Sequence, residues 1–410
     1  MDKNRIIYTL ANNVKTIITP IQSHVSHICI YINSGSRDES DKNSGAMHLI
    51  EHMLFKGTSN RTYLEILHYI ESVGGEINAF TSKEDTCVYI SIHNAYIERA
   101  VKILSDIFYA SIFPEFELEK EKDVVLDEIL SYQDTPQENI FDEFEELFFE
   151  PHELSRNILG NKKSVQNITK KTLHDIYTEN YITDNLIISY VGGVKPSEII
   201  SLTEMYFTDK KNSIHFQKHK RNTYTENNNF KTIITKNTYQ AHAILGASAP
   251  HITSTYKTAM SLFTNLTGGM SFSSQLNLLL REQNGIAYNI ECNYIPYSDT
   301  GIFFIYFGTD KSKIPEAKNI IHDYIQNIIN HGISEDLLSM YKKQLIGQIA
   351  LSFDNHVSLM ISQAKSYSIY KHIDTLSEIE HKINSVSHED IHTILNTYIN
   401  PRNLSELIYL

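Results

Sequence analysis

The chain has 410 residues, more than one ordinary core supports and suited to two or three domains of roughly 100–200 residues each. Lys and Arg number 36 against 49 Asp and Glu, and the net charge of −13 leaves no broad cationic surface for phosphates, which argues against nucleic acid and anionic membrane as partners. With 41% hydrophobic and 21% charged residues the composition is that of a globular protein.

In chain order, Met1–Pro20 mixes Asp2, Lys3, Arg5 and Lys15 among short apolar stretches, so it reads neither as a signal-peptide core nor as a membrane span. Val25–Asn33 alternates and is β-branched, predicting a strand. A helix is expected from about Ser44 to Gly57, a second over Tyr63–Ser72 stopping at Gly74-Gly75, and a strand over Thr86–His93. Helices follow from Tyr96 to about Tyr109 and from Phe116 to Tyr132, the latter ending before Pro136. The polar run Asp209–Asn229 lacks apolar periodicity and divides the chain into a first domain, 1–210, a linker, 211–228, and a second domain, 229–410. Cys29, Cys87 and Cys292 are far apart and outside any C-x-x-C, which disfavours disulfides and thiolate metal sites and fits a cytoplasmic location.

The halves repeat at an offset of roughly 215 residues. HICIYINSG from His27 resembles HAILGAS from His242, AMHLIEHM from Ala46 resembles AMSLFTNL from Ala259, and YITDNLIISYV from Tyr181 resembles YINPRNLSELIYL from Tyr398. A duplicated α+β unit accounts for both length and linker. Within the repeat His48 falls opposite Ser261, Glu51 opposite Thr264 and His52 opposite Asn265, whereas Leu49 stays opposite Leu262. The apolar scaffold persists and the ionisable residues do not, as expected if packing does not require them.

His48-Leu49-Ile50-Glu51-His52 is H-x-x-E-H on an expected helix. Positions i and i+4 share a face, so both imidazoles reach one cation with Glu51 beside it, while Leu49, Ile50 and Met53 anchor the helix. A catalytic zinc takes three protein ligands, and the Phe116–Tyr132 helix offers Glu121 and Glu128, seven apart on one face; spacing alone does not choose between them. Such a donor set favours zinc, with cobalt and manganese as alternatives. The remaining histidines, among them His68, His93, His152, His174, His242 and His251, read as surface or ordinary polar contacts.

These blocks resemble the M16 metallopeptidases, the family of pitrilysin, insulin-degrading enzyme and the mitochondrial processing peptidase, along nearly the whole chain. The resemblance is carried by GSRDE at Gly35–Glu39, HLIEHMLFKGT at His48–Thr58, GGEINAFTSKEDTCVY at Gly74–Tyr89, EKDVVLDEI at Glu121–Ile129, ILG at Ile158–Gly160 and GGMSFSSQLNLLLREQNGIAY at Gly268–Tyr288. It implies an α+β fold of two homologous domains, each an antiparallel-type sheet flanked by helices. It implies one zinc (Zn2+) per chain on His48, His52 and Glu128, Glu51 as general base, and Glu121 supporting the site from behind its ligands. Arg281 and Tyr288 resemble the substrate-orienting pair, Asn78, Ala79 and Phe80 the edge strand onto which a peptide adds, and Phe55 and Phe80 the lining of the pocket for the residue after the cut. The implied activity is hydrolysis of short or unfolded peptides in a chamber of four domains. Because this chain carries both the zinc motif and Arg281/Tyr288, a homodimer is the simplest assembly, with a degenerate partner chain as the alternative. The competing function is a maturation factor that binds or processes one precursor.

Overall fold

The computed structural model describes residues 5–208, 221–225, 228–236, 238–401 and 404–410. Strands β1 (Ile6–Thr9), β2 (Lys15–Pro20) and β3 (Val25–Ile32) lead into helices α1 (Ala46–Leu54) and α2 (Tyr63–Glu71). Then come β4 (Glu76–Thr81), β5 (Thr86–His93), α3 (Ile97–Ala110), α4 (Glu115–Gln133), α5 (Pro136–Phe149), α6 (Lys162–Asn167), α7 (Lys170–Asn180), β6 (Leu186–Gly192) and α8 (Pro196–Phe207). The later half runs through β7 (Lys231–Ile234), β8 (Ala241–Ser248), α9 (Lys257–Gly268), a π-helical segment (Asn277–Gln283), β9 (Ala287–Pro296) and β10 (Gly301–Thr309). It ends with α10 (Ile314–His331), α11 (Glu335–Phe353), α12 (His356–Tyr370), α13 (Leu376–Ser385), α14 (His388–Thr397) and β11 (Ser405–Tyr409).

The first sheet has the order β1-β2-β6-β3-β5-β4 and the second β7-β11-β8-β10-β9. Apart from β1 the two orders are the same, and the three repeat matches fall on β3 and β8, on α1 and α9, and on the approaches to β6 and β11. The sheets are mixed rather than purely antiparallel: β2 pairs β6 and β7 pairs β11 in parallel register. Each parallel partner arrives after a long excursion through helices, the connection that parallel neighbours require.

The chain divides into two compact units built from exchanged segments, which differ from contiguous domains 1–210 and 229–410. Unit 1 comprises Met1–Ile129, Arg156–Arg221 and Leu351–Thr375; unit 2 comprises Leu130–Ser155, Asn222–Ala350 and Leu376–Leu410. Most of the expected linker, 211–220 and 226–227, lies outside the described residues.

Two-faced burial explains the exchange. On β3, Ile28, Ile30 and Ile32 join the core that holds α1, whereas Cys29 and Tyr31 point the other way and pack with Leu359, Met360 and Ala364 of α12. In unit 2 the equivalent second face, with Phe304, Tyr306, Leu407 and Tyr409, is covered by Phe144, Phe148 and Phe149 from the α5 region. A sheet apolar on both faces needs a layer on each. Each fully buried aromatic contributes about 2 kcal/mol by removal from water, so the borrowed helices are structural parts of the units they cover.

Candidate active site

Helix α1 is held at its N-terminus by groups distant in sequence. The buried Glu39 carboxylate accepts the backbone N–H of Gly45 at 2.9 Å and of Met47 at 2.5 Å, satisfying donors that a helix start leaves free. Gly45 has φ +91° and faces Leu159 O so closely that a Cβ would stand 2.6 Å from it, while Gly160, φ +73°, packs against Ser44. The GSRDE and ILG blocks therefore meet at the start of the helix that carries His48. Arg221 reinforces this corner by donating two 2.8 Å bonds to Asp38. At the other end α1 stops at Leu54, earlier than expected, and Gly57, φ +146°, bridges to Thr62. The buried Asp106 holds that turn by accepting from Thr58 at 2.8 Å and from Arg61 at 2.5 Å.

Leu49, Ile50 and Met53 are fully buried, so the helix can rotate no other face outward. Three ligand atoms converge from His48, His52 and Glu128, all within 4.8 Å of one another. Nε2 of His48 and Nε2 of His52 each lie 3.8 Å from Oε2 of Glu128. In a tetrahedral zinc site with bonds near 2.0–2.1 Å, ligand atoms stand about 3.3–3.5 Å apart, so each of these two histidine–carboxylate separations is within about half an ångström of that spacing. Of the two carboxylates that spacing left open, Glu128 is the one in the cluster. Glu121 stands behind it, its Oε2 3.1 Å from His52 Nδ1 and its Oε1 2.7 Å from Lys56 Nζ.

Electrostatics separates the roles. Burial, with His52 adding repulsion, pushes His48 down to about 3, so its imidazole is neutral at physiological pH, the form that binds a cation. Burial raises Glu51; the Thr81 hydroxyl and His52 oppose the shift, and Glu128 adds to it. Glu128 is raised by burial and lowered by His52. Among the described residues Oε2 of Glu51 is buried without a hydrogen-bond partner, a costly placement for a carboxylate.

Glu51, His52, Phe55, Lys56, Tyr63, Leu67, Ile77 and Glu121 enclose a pocket of about 290 Å³ beside the cluster. Phe55 is in that lining and Phe80 is not. The strand's period of two puts Ile77 and Ala79 on the α1 face and Phe80 on the opposite face, packed with Cys87 and Tyr89 in the cluster under α12. The β4 side chain that lines this pocket is therefore Ile77, and the expectation that Phe80 lines it is corrected by the strand's facing. Among the described residues strand β4, with Asn78 and Ala79, is the terminal strand of its sheet and pairs on one side only, with β5.

In unit 2, Arg281 sits on the π-helical segment, half-exposed, with its Cζ 5.1 Å from the Phe272 ring and its Nε 3.4 Å from Glu282. Tyr288 is 69% exposed on β9, the terminal strand of the second sheet and the topological counterpart of β4. Glu39, Lys56 and Thr81 escaped the sequence reading. Glu39 left a signal, an acid six residues ahead of a glycine at a helix start, and so did Lys56, four residues beyond His52, whereas Thr81 reaches the site only through folding. Among the other histidines, His242 pairs with the Tyr306 hydroxyl at 2.9 Å and His152 with Asn222 O at 3.1 Å, as ordinary polar contacts.

Two imidazoles one helical turn apart, a carboxylate from a neighbouring helix and a second carboxylate poised beside them define a metallohydrolase of the inverted H-x-x-E-H type. Residues 16–162 match the family model described as insulinase, peptidase family M16, and residues 167–345 match the M16 inactive domain. An uncharacterized zinc protease of Bacillus subtilis is 31% identical over 386 residues, covering 94% of this chain and 93% of the relative. An uncharacterized zinc protease of Rickettsia felis is 29% identical over all of this chain and 98% of its own length. The chain belongs to the M16 family of zinc metalloendopeptidases. In fold it is similar to a protease from Helicobacter pylori, with a TM-score of 0.92, 20% identity and 99% coverage of both chains.

Proposed function

We propose that the protein hydrolyses short or unfolded peptides, with His48, His52 and Glu128 holding one zinc ion and Glu51 acting as general base. The observation that carries this reading is the convergence of the three ligand atoms next to a Glu51 carboxylate oxygen that is buried and, among the described residues, unpartnered. Zinc bound there supplies Lewis acidity, which polarises a carbonyl and acidifies water at neutral pH. Glu51 takes a proton from the attacking water and returns it to the leaving amine, and the burial that raises its proton affinity favours the uptake. Glu121 fixes the His52 ring through Nδ1, and Glu39 holds the start of the helix.

The peptide is read as adding to the free side of β4 at Asn78 and Ala79, a mode whose main-chain hydrogen bonds tolerate many sequences. Phe55 and Ile77 shape the adjacent pocket, and Arg281 and Tyr288 orient peptide carbonyls. A homodimer completes the chamber in this reading, since one chain carries both the metal ligands and the orienting pair. The three buried, unpaired thiols support a reducing, cytoplasmic setting. No helix among the described residues is long and apolar enough to cross a membrane.

Metal analysis of the purified protein should give one zinc per chain, and a peptide library read by mass spectrometry should show cleavage that a chelator abolishes. Glu51→Gln should keep its zinc and lose turnover by about 10²–10⁴-fold. Zinc-loaded wild-type protein that cuts nothing in the library overturns the proposal.

A further inference from the structure

The loop between α9 and the π-helical segment displays two large apolar side chains: Met270 is 101% and Phe272 74% exposed. The display is built into the loop. Tyr341 of α11, fully buried, donates its hydroxyl to Ser273 O at 2.6 Å and accepts from Gln275 Nε2 at 3.1 Å. Gln344 of the same helix donates to Ser271 Oγ at 3.0 Å. A loop tied this firmly to a helix does not expose an aromatic ring through slackness.

The ring meets a cation. Arg281 places its guanidinium carbon 5.1 Å from the Phe272 ring centroid, inside the range of cation–π attraction, and Glu282 lies beside its Nε at 3.4 Å. Among the described residues Arg281 has no other polar partner. An arginine on a flexible stem, otherwise held by one exposed neighbour on its own helix, would sample many rotamers, and each would have to be lost when a peptide binds.

We propose that Phe272 is a positioning residue for Arg281. Its ring holds the guanidinium in one place before the peptide arrives and leaves the Nη donors for peptide carbonyl oxygens. This rests on the reading of Arg281 as a substrate-orienting group. The side chain acts through Arg281 and not on the peptide itself.

The test uses the zinc-loaded Glu51→Gln protein and a fluorescently labelled unstructured peptide, with affinity read by anisotropy, so that it does not depend on turnover. Phe272→Ala and Phe272→Leu should weaken binding by about two- to fivefold, the amount an exposed cation–π contact represents. Phe272→Tyr and Phe272→Trp should restore it. With Arg281→Ala in place, Phe272→Ala should have no further effect. Equal losses with and without Arg281, a leucine that binds like phenylalanine, or an Arg281→Ala variant that binds normally each overturn the inference. Failure of the peptidase reading would show separately, as absent cleavage by zinc-loaded wild type.

Discussion

Removing the Glu121 carboxylate should weaken zinc binding without unfolding the protein. Its Oε2 is 3.1 Å from Nδ1 of His52, so it fixes the ring orientation that aims Nε2 at Glu128, and its Oε1 is 2.7 Å from the Lys56 ammonium. Two effects are therefore lost together in Glu121→Ala: the acceptor that orients His52, and the negative charge that offsets Lys56 beside a dication. Groups that orient a metal-ligating histidine are typically worth 10–100-fold in metal affinity, which is about 1.4–2.7 kcal/mol. Glu121→Gln separates the two effects, since an amide oxygen still accepts from Nδ1–H but carries no charge. Expected dissociation constants rise by about tenfold for Gln and toward 100-fold for Ala, measured by competition with a chromophoric chelator. Circular dichroism and urea midpoints check that both variants remain folded. Unchanged zinc affinity in both folded variants would refute the argument that Glu121 orients His52.

The metal-free protein should lose stability as pH falls from about 6.5 toward 3, because folding buries a neutral His48 whose proton affinity is restored on unfolding. The unfolded state binds more protons throughout that window, at up to about 1.4 kcal/mol per pH unit, and urea midpoints for His48→Gln should show a shallower slope; parallel slopes would count against it. Gly45→Ala should destabilise the protein by about 1–3 kcal/mol and weaken zinc binding as well, since an alanine there is strained at φ +91° and its Cβ would stand 2.6 Å from Leu159 O, beside the ligand helix. A variant with wild-type midpoint and zinc affinity would show that this contact does not set the helix position.

Local chemistry was legible in the sequence because it depends on spacing within one element. The i, i+4 pairing of His48 and His52 follows from helical pitch, and the persistence of Leu49 opposite Leu262 alongside the loss of His48, Glu51 and His52 from the repeat separated scaffold from function. The strands at Val25–Ile32 and Thr86–His93 and the long acidic helix ending near Pro136 were also visible as periodicity. That the two sheets share one strand order, apart from β1, agrees with the duplication that the sequence displays.

Tertiary structure decided what depends on which surfaces meet. Glu121 and Glu128 share a helix face and differ only by two turns, so only the placement of α4 against α1 puts Glu128 in the cluster and Glu121 behind His52. Phe80 and Ile77 are three apart on one strand, and only the pleat relative to α1 sends Ile77 to the pocket and Phe80 beneath α12. The exchange of α5 and α12 was likewise invisible, because an apolar helix face records that it must be buried and not which sheet will bury it.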